Sequence, residues 1–360
     1  MKLLPLSIAF LAAGIVSLVT PRSHAVTEAT TPPVGFLTVT VFGHDNTTGL
    51  DGNTAVSVPM YNTADFQGAV ASLDSATQFT LTGATWTAGA YAMPADGGTA
   101  TTPRLARIKS GAQVGKFFRV TANTSNQLTV DLSLYGIANI NTALAAGDLI
   151  ELLPANTIGS VFGTTPPILA GNTTATTADN ILLQNGAGWF TYYWKTNVTP
   201  NRWVLNGGGN TDRATAIIYP DTAAYVLKRS VGDISLVVSG AVPTTAEQSD
   251  VEAPNTFLAN RFPTDTTLGA LGLESLPGWV KNTTAASSDN VYILSPSGSW
   301  ARYYFKTNAT PTAHWVLNGG GNTDRGPITQ IPAGTAVYIS FGNSTPATLS
   351  QTLPYNPFAP

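Results

Sequence analysis

The sequence offers few side chains that could catalyse a reaction. It contains no cysteine and three histidines, His24, His44 and His314. Thiol chemistry and zinc–thiolate sites are therefore excluded, and no recognisable nucleophile motif accompanies a histidine base. The aspartates that recur in a repeated segment stand in turn-like contexts that favour capping. The protein is thus predicted to be non-enzymatic, with no cofactor and no metal site. A carboxylate pair that meets only in space is the alternative.

Aromatic residues recur at alternate positions in two copies of one strand pattern, GWFTYYWK and SWARYYFK. Alternate side chains of a strand face opposite ways, so each copy presents a Trp, a Tyr and a Lys on one face. This face could be a flat platform for sugar rings, or it could be packed inside a sandwich, the more common fate of large aromatics. The platform residues are Trp189, Tyr193, Lys195, Trp300, Tyr304 and Lys306.

The run WVLNGGGNTDR occurs twice without change, at 203–213 and 315–325. Its glycines permit a tight reversal, and its Asn and Asp side chains can bond the nearby backbone. The run lacks the Lys-Ser/Thr of a phosphate loop and the alternating acids of an EF-hand, so it predicts a turn. A further alternative is an isopeptide crosslink that joins Lys195 to Asn206 and Lys306 to Asn318. The repeated polar positions are Asn206, Asp212, Arg213, Asn318, Asp324 and Arg325.

These motifs belong to a longer duplication that predicts two related β-modules. Residues 178–213 match 288–325, with single-residue insertions between the matched strands. We assign module 1 to 53–236, a linker to 237–254 and module 2 to 255–342. Hairpin patterns at about 66–162 have no counterpart in module 2, so a small β-subdomain is inserted in module 1. The predicted fold class is all-β, with sandwich-like or open-barrel modules.

The ends of the chain bear on location. Residues 1–25 combine Lys2, an apolar run and small residues before a cleavage point after Ala25, which is typical of a signal peptide. Residues 26–52 form a leader and first strand, and 343–360 form a tail. The sequence therefore predicts export to the extracellular space or cell surface, with the periplasm as alternative, and no membrane span after cleavage. The net charge of −3 argues against a nucleic-acid partner.

Several motifs follow one another along the chain: VSVPM, SGAQVGKFFRVTANTSNQLTVD, AAGDLIELLP, and the paired YYWK…WVLN and YYFK…WVLN. A chain with this order resembles an uncharacterised family of secreted bacterial proteins with tandem aromatic-hairpin β-modules. The resemblance implies export and architecture, and it supplies no catalytic residues. We expect a secreted or cell-surface structural or adhesive protein whose partner is a cell-envelope polysaccharide or another copy of itself. Glycan binding is a secondary expectation. A carbohydrate-active enzyme or its binding accessory is the alternative.

Overall fold

Strands account for nearly all of the regular structure. A computed structural model describes residues 33–93, 102–295 and 298–357, which belong to one compact unit. The strands of the first half are β1 (Val34–Val41), β2 (Gly52–Val56), β3 (Phe66–Leu73), β4 (Gln78–Leu81), β5 (Arg104–Ile108), β6 (Phe117–Asn123), β7 (Gln127–Asp131), β8 (Leu149–Pro154) and β9 (Asn180–Asn185). The predicted signal peptide lies outside the described residues.

The remaining elements are mostly strands too. They are β10 (Gly188–Lys195), β11 (Arg202–Leu205), β12 (Ala224–Lys228), β13 (Ile234–Ala241), β14 (Glu247–Val251), β15 (Asn255–Ala259), β16 (Thr266–Thr267), β17 (Asn290–Leu294), β18 (Trp300–Lys306), β19 (His314–Leu317), β20 (Gln330–Ile331), β21 (Ala336–Ser340) and β22 (Ala347–Gln351). Among the described residues, helix is confined to α1 (Ile158–Phe162) and to 3-10 turns at Ser133–Tyr135, Ile140–Thr142, Gly269–Leu271, Leu273–Ser275 and Ala285–Ser287. The all-β prediction is confirmed. Within the described ranges, no helix has the length and apolar character needed to cross a membrane.

A closed antiparallel barrel is formed by strands β3 to β8, in the order β3-β4-β7-β6-β5-β8. Its interior is filled by fully buried side chains such as Phe79, Phe118 and Ile150. The barrel lies in the chain between β2 and β9, within the segment at about 66–162 for which we expected an inserted β-subdomain. The end of that segment forms α1 instead. A capping box between Thr157 and Ser160 starts this helix.

Two five-stranded antiparallel sheets have the same strand order. Sheet 1 is β2-β12-β9-β10-β11, and sheet 2 is β15-β21-β17-β18-β19. Strands that match in sequence occupy the same place in each sheet, so β9 corresponds to β17 and β10 to β18. Trp203 and Trp315 hold equivalent positions in β11 and β19, and both are buried. The matched tryptophan of each sheet therefore packs in that sheet's own core.

The segment between the sheets differs from its prediction as a linker. Residues 237–254 contain the end of β13, which pairs with β1, and all of β14, which pairs with β22. Strand β22 itself lies in the predicted tail. Strand β13 buries Leu236 and Val238 and exposes the residues between and beside them, whereas β14 buries Glu247 and Ser249 as well as Val251. Neighbouring Pro and Thr residues, and the buried polar residues of β14, made this segment resemble connecting chain.

Candidate ligand-binding cleft between the repeated sheets

Four aromatic rings lie at equivalent positions of the two sheets. Trp189 is the second residue of β10, and the matched Trp300 is the first residue of β18. Tyr225 of β12 pairs with Leu182, and Tyr338 of β21 pairs with Tyr292. Leu182 and Tyr292 are themselves matched positions of β9 and β17. Tyr225 and Tyr338 are therefore a matched pair, as the two tryptophans are.

The four rings contact one another in a closed circuit. Within each sheet, Trp189 and Tyr225 have centroids 6.4 Å apart, and Trp300 and Tyr338 have centroids 6.2 Å apart. Between the sheets, the distances are 6.5 Å for Trp189–Tyr338 and 6.0 Å for Tyr225–Trp300. The planes are 52° and 56° apart within a sheet, and 26° and 20° apart between sheets. The circuit is thus two near-parallel pairs inclined to each other, each with one ring from each sheet.

These rings surround a cleft of about 400 Å³. It is lined by Leu182, Trp189, Tyr225, Phe257, Tyr292, Trp300 and Tyr338. We call this set the aromatic cleft. The relative exposures of Trp189 and Trp300 are 36% and 38%, so a ligand in solution can reach both rings, whereas Phe257 is fully buried beneath them. The lining contains no charged side chain. Its volume and apolar character lie within the range typical of small-molecule sites.

The polar groups of the aromatic cleft are uncharged hydroxyls. The phenol of Tyr225 donates a hydrogen bond of 2.7 Å to the side-chain oxygen of Asn53. Burial raises the pKa of Tyr225 and the pKa of Tyr338 above the ordinary tyrosine value. Both phenols are therefore neutral at physiological pH. The Tyr225 oxygen can still accept a hydrogen bond, and the Tyr338 hydroxyl can donate or accept one at the edge of an apolar surface.

Gln184 of β9 fastens sheet 2 to sheet 1 beside the aromatic cleft. Its amide nitrogen donates to the carbonyl oxygen of Asn255 at 2.7 Å, and its oxygen accepts from the backbone nitrogen of Phe257 at 2.6 Å. The side chain thereby satisfies two backbone groups on the outer edge of β15, as a neighbouring strand would. The matched residue of β17 is Leu294, whose side chain has no hydrogen-bonding group. The clamp therefore exists on one side of the cleft only.

A buried ion cluster joins the barrel to the strands around sheet 2. Glu247 of β14 accepts hydrogen bonds from Arg107 of β5 and from Arg261, which follows β15. Relative exposures are 0% for Glu247, 0% for Arg261 and 2% for Arg107, and Arg107 also contacts Glu151. Burial acts to lower the pKa of Arg261, but Glu247, Tyr61 and Asp221 together outweigh burial, and the net shift of this pKa is upward. The cluster joins three separate chain segments.

The predicted platform is divided in the structure. Trp189 and Trp300 line the aromatic cleft, but Tyr193 and Tyr304 are buried under the loops that cover the next part of each sheet, against Ala178 and Ala285 respectively. Lys195 and Lys306 lie farther along and donate to Asn210 and Asn322 at 2.8 and 2.6 Å. The Trp–Tyr–Lys face is therefore not one continuous surface, although the tryptophans of the two copies converge.

The repeated loop forms a turn in both copies. Backbone nitrogens of Asn206 and Asn318 donate across the hairpin to Thr191 and Arg302, and Asn206 is exposed. The predicted lysine partners of these asparagines instead contact Asn210 and Asn322, so the structure does not bring together the residues of the isopeptide hypothesis. Further along the loop, Asp212 and Asp324 each accept from the backbone two residues on, and Arg213 and Arg325 donate backbone bonds of 2.8 Å to Trp203 and Trp315.

The histidines lie apart from the aromatic cleft. His44 contacts Asp51 at 2.9 Å in a surface loop. His314 bonds two backbone carbonyl oxygens, of Thr312 and Asn322, and it occupies the position that Arg202 holds in sheet 1. In the ranges that the structure describes, no three His, Asp or Glu side chains are grouped so that they could hold a metal ion.

A second cavity, of about 200 Å³, contains three acids: Asp221, Asp250 and Glu252. We call it the acidic cavity. The Tyr135 hydroxyl donates to one carboxyl oxygen of Asp221 at 2.8 Å, while the other oxygen is buried and has no partner among the described residues. Burial raises the pKa of Asp221 and the pKa of Glu252. Asp250 is paired with Lys116 at 2.7 Å.

Sequence reasoning identified the two tryptophans and missed the other rings of the aromatic cleft. The final strand of each repeat was recognised, and alternation within it would have placed Tyr225 and Tyr338 on the tryptophan face. Phe257 and the acidic cavity gave no comparable signal, because their partners are distant in the chain. Comparison with protein-family models, curated proteins and solved structures finds no match to this chain.

Proposed function

We propose that the protein is an exported, non-enzymatic adhesive or structural protein that binds uncharged sugar rings in the aromatic cleft. The observation that carries the proposal is the convergence of Trp189 and Trp300 on one cleft where both rings remain over a third exposed. Large aromatics on a closed interface would be expected to bury their faces. Their exposure at matched positions of both repeats supports a surface for a ligand.

The chemistry of the aromatic cleft suits a sugar. A pyranose ring has apolar faces made of C–H groups and an equator of hydroxyls. The tryptophan faces offer apolar surface to such a ring, and the phenol hydroxyls can bond its equator. The absence of a charged lining residue favours a neutral ligand, because an ionic group would lose hydration without gaining a partner. Export rests on the signal-peptide pattern at 1–25.

A calorimetric titration of the mature protein with neutral oligosaccharides tests this proposal. We expect binding, and we expect Trp189→Ala and Trp300→Ala each to weaken it about tenfold, the loss of roughly 1.4 kcal/mol of contact. Phe36→Ala is the matched control. Phe36 is an aromatic of β1 outside the cleft and is 77% exposed, so its removal should leave affinity unchanged. Absence of binding to every sugar, or equal loss in the control, would refute the proposal.

A carbohydrate-active enzyme is the second candidate, and the acidic cavity is the observation that favours it. Glycoside hydrolysis needs one protonated and one ionised carboxyl group, and Asp221 and Glu252 are acids whose environments alter their proton affinity. Release of reducing ends from a panel of polysaccharides measures this activity. Turnover that is abolished by both Asp221→Asn and Glu252→Gln would establish the enzyme. The adhesive function predicts no turnover.

A further inference from the structure

Strand β22 has one edge that no other described strand covers. It pairs with β14 alone, in a two-stranded antiparallel ribbon, so its other edge has no strand partner among the described residues. A cavity of about 570 Å³ lies beside this strand, and we call it the edge cleft. No residue of β14 lines the edge cleft. The strand and the residue after it contribute five successive lining residues, Thr348, Leu349, Ser350, Gln351 and Thr352.

This lining places the edge cleft along the backbone of β22. Successive side chains of a strand point to opposite faces, and Leu349 is buried while its neighbours Thr348 and Ser350 are exposed. A cavity that meets all three residues must therefore lie along the edge of the strand, where backbone N–H and C=O groups point outward. The five residues of β22 extend over about 17 Å, at roughly 3.3 Å per residue, so an added strand of similar length can lie beside them.

The rest of the edge cleft is apolar or uncharged. Phe262, Leu271 and Leu276 line it and are buried. Its polar lining residues carry amides and hydroxyls, as in Asn260 and Ser275, and no lining residue is charged. A charged ligand group in the edge cleft would lose hydration without gaining an ion partner, so a neutral ligand is favoured. The edge cleft shares no lining residue with the aromatic cleft.

The edge of β22 also lacks the devices that protect exposed strand edges. Such edges are usually blocked by charged residues, by proline, by a bulge or by a covering group. At the edge of β15 the side chain of Gln184 is the covering group, because it bonds the backbone of Asn255 and Phe257. The sequence of β22, ATLSQ, contains no charged residue and no proline, and its ladder with β14 has no register shift. The edge of β22 is therefore open to an incoming strand.

We propose that the edge cleft binds an extended, uncharged peptide segment of a partner protein, which adds to β22 as a third strand of the ribbon. The backbone of the peptide pairs with the open edge and provides affinity, and its alternate side chains provide specificity. Aliphatic residues are expected at the positions that face the apolar lining, with uncharged polar residues between them. This peptide site is separate from the aromatic cleft and does not depend on sugar binding.

Fluorescence anisotropy with the intact mature protein tests this proposal. The probe is a labelled seven-residue peptide of alternating threonine and valine with capped ends. We expect saturable binding, and we expect Ala270→Trp to weaken it about tenfold or more. Ala270 is an exposed lining residue, so the substitution adds an indole at the edge cleft without removing a buried contact. Ala71→Trp adds the same ring at an exposed position of β3 and should leave the affinity unchanged. Circular dichroism checks that both variants are folded.

A second measurement tests strand addition itself. In an added strand, alternate backbone N–H groups face β22 and the others face away from it. N-methylation of one alternate set of peptide amides should therefore weaken binding about tenfold more than N-methylation of the other set. Equal effects of the two sets, or equal loss in the two tryptophan variants, would overturn strand addition at this edge. Absence of saturable binding would overturn the peptide site. A dimer in sedimentation that Ala270→Trp dissociates would overturn it too, because a second copy of the chain would then occupy the edge.

Discussion

Removing the charge of Glu247 should destabilise the protein far more than removing a surface charge. In Glu247→Gln the side chain keeps its shape, but Arg261 is left with neutral acceptors only: the backbone oxygens of Gln248 and Gly115, and the Ser249 hydroxyl. Arg107 retains Glu151 at 3.1 Å. The substitution therefore leaves the guanidinium of Arg261, which is 0% exposed, without its ion-pair partner.

The magnitude follows from the burial. Breaking a buried ion pair by removing one partner costs about 3–5 kcal/mol, because the remaining charge has neither water nor a counter-ion. At about 2–4 °C per kcal/mol, the midpoint of thermal unfolding should fall by roughly 6–20 °C. The effect should persist at about 1 M salt, since mobile ions screen exposed pairs far better than buried ones.

Differential scanning calorimetry at low and high salt measures this effect. Asp131→Asn is the matched control, because Asp131 pairs with Arg119 at 2.8 Å and its side chain is 29% exposed. A partly exposed pair of this kind contributes about 1 kcal/mol or less, and salt should weaken its effect. If Glu247→Gln lowers the midpoint no more than Asp131→Asn does, or if salt removes the difference, the ion cluster does not hold the barrel to the strands around sheet 2.

Further predictions concern the clamp, the acidic cavity and processing. Gln184→Leu introduces the residue found at the matched position, Leu294, and leaves two backbone groups of β15 unpaired. It should lower the free energy of unfolding by about 2 kcal/mol and weaken oligosaccharide binding, both measured by calorimetry. An unchanged unfolding midpoint and an unchanged affinity would exclude the clamp. Burial raises the pKa of Asp221 above its ordinary value of 3.8. Ionisation of Asp221 therefore destabilises the fold as the pH rises above that value. The thermal unfolding midpoint of Asp221→Asn should therefore rise relative to the wild-type midpoint as the pH increases from 3 to 7. A difference between the two midpoints that does not change with pH would contradict this. If the protein is exported as proposed, N-terminal sequencing should find Val26 as its first residue; an intact Met1 would contradict export with cleavage.

Local patterns in the chain were sufficient to predict the class of fold and its hairpins. Alternation of apolar and polar residues is a property of one strand and its two faces, so it can be recognised before any partner strand is known. The two copies of WVLNGGGNTDR likewise indicated the duplication. Alternation did not reveal β13, which exposes Val237 between two buried apolar residues, or β14, which buries Glu247 and Ser249.

Contacts between distant segments could not be obtained in this way. Glu247 meets Arg107 across 140 positions, and Gln184 reaches Phe257 across 73. Nothing in the residues near either partner specifies the other, because such pairs depend on how the faces of finished sheets and barrel pack together. The sequence showed an aromatic face on each copy, with a tryptophan, a tyrosine and a lysine. Packing then buried the tyrosines, separated the lysines from the cleft, and placed the two tryptophans in the lining of one cleft.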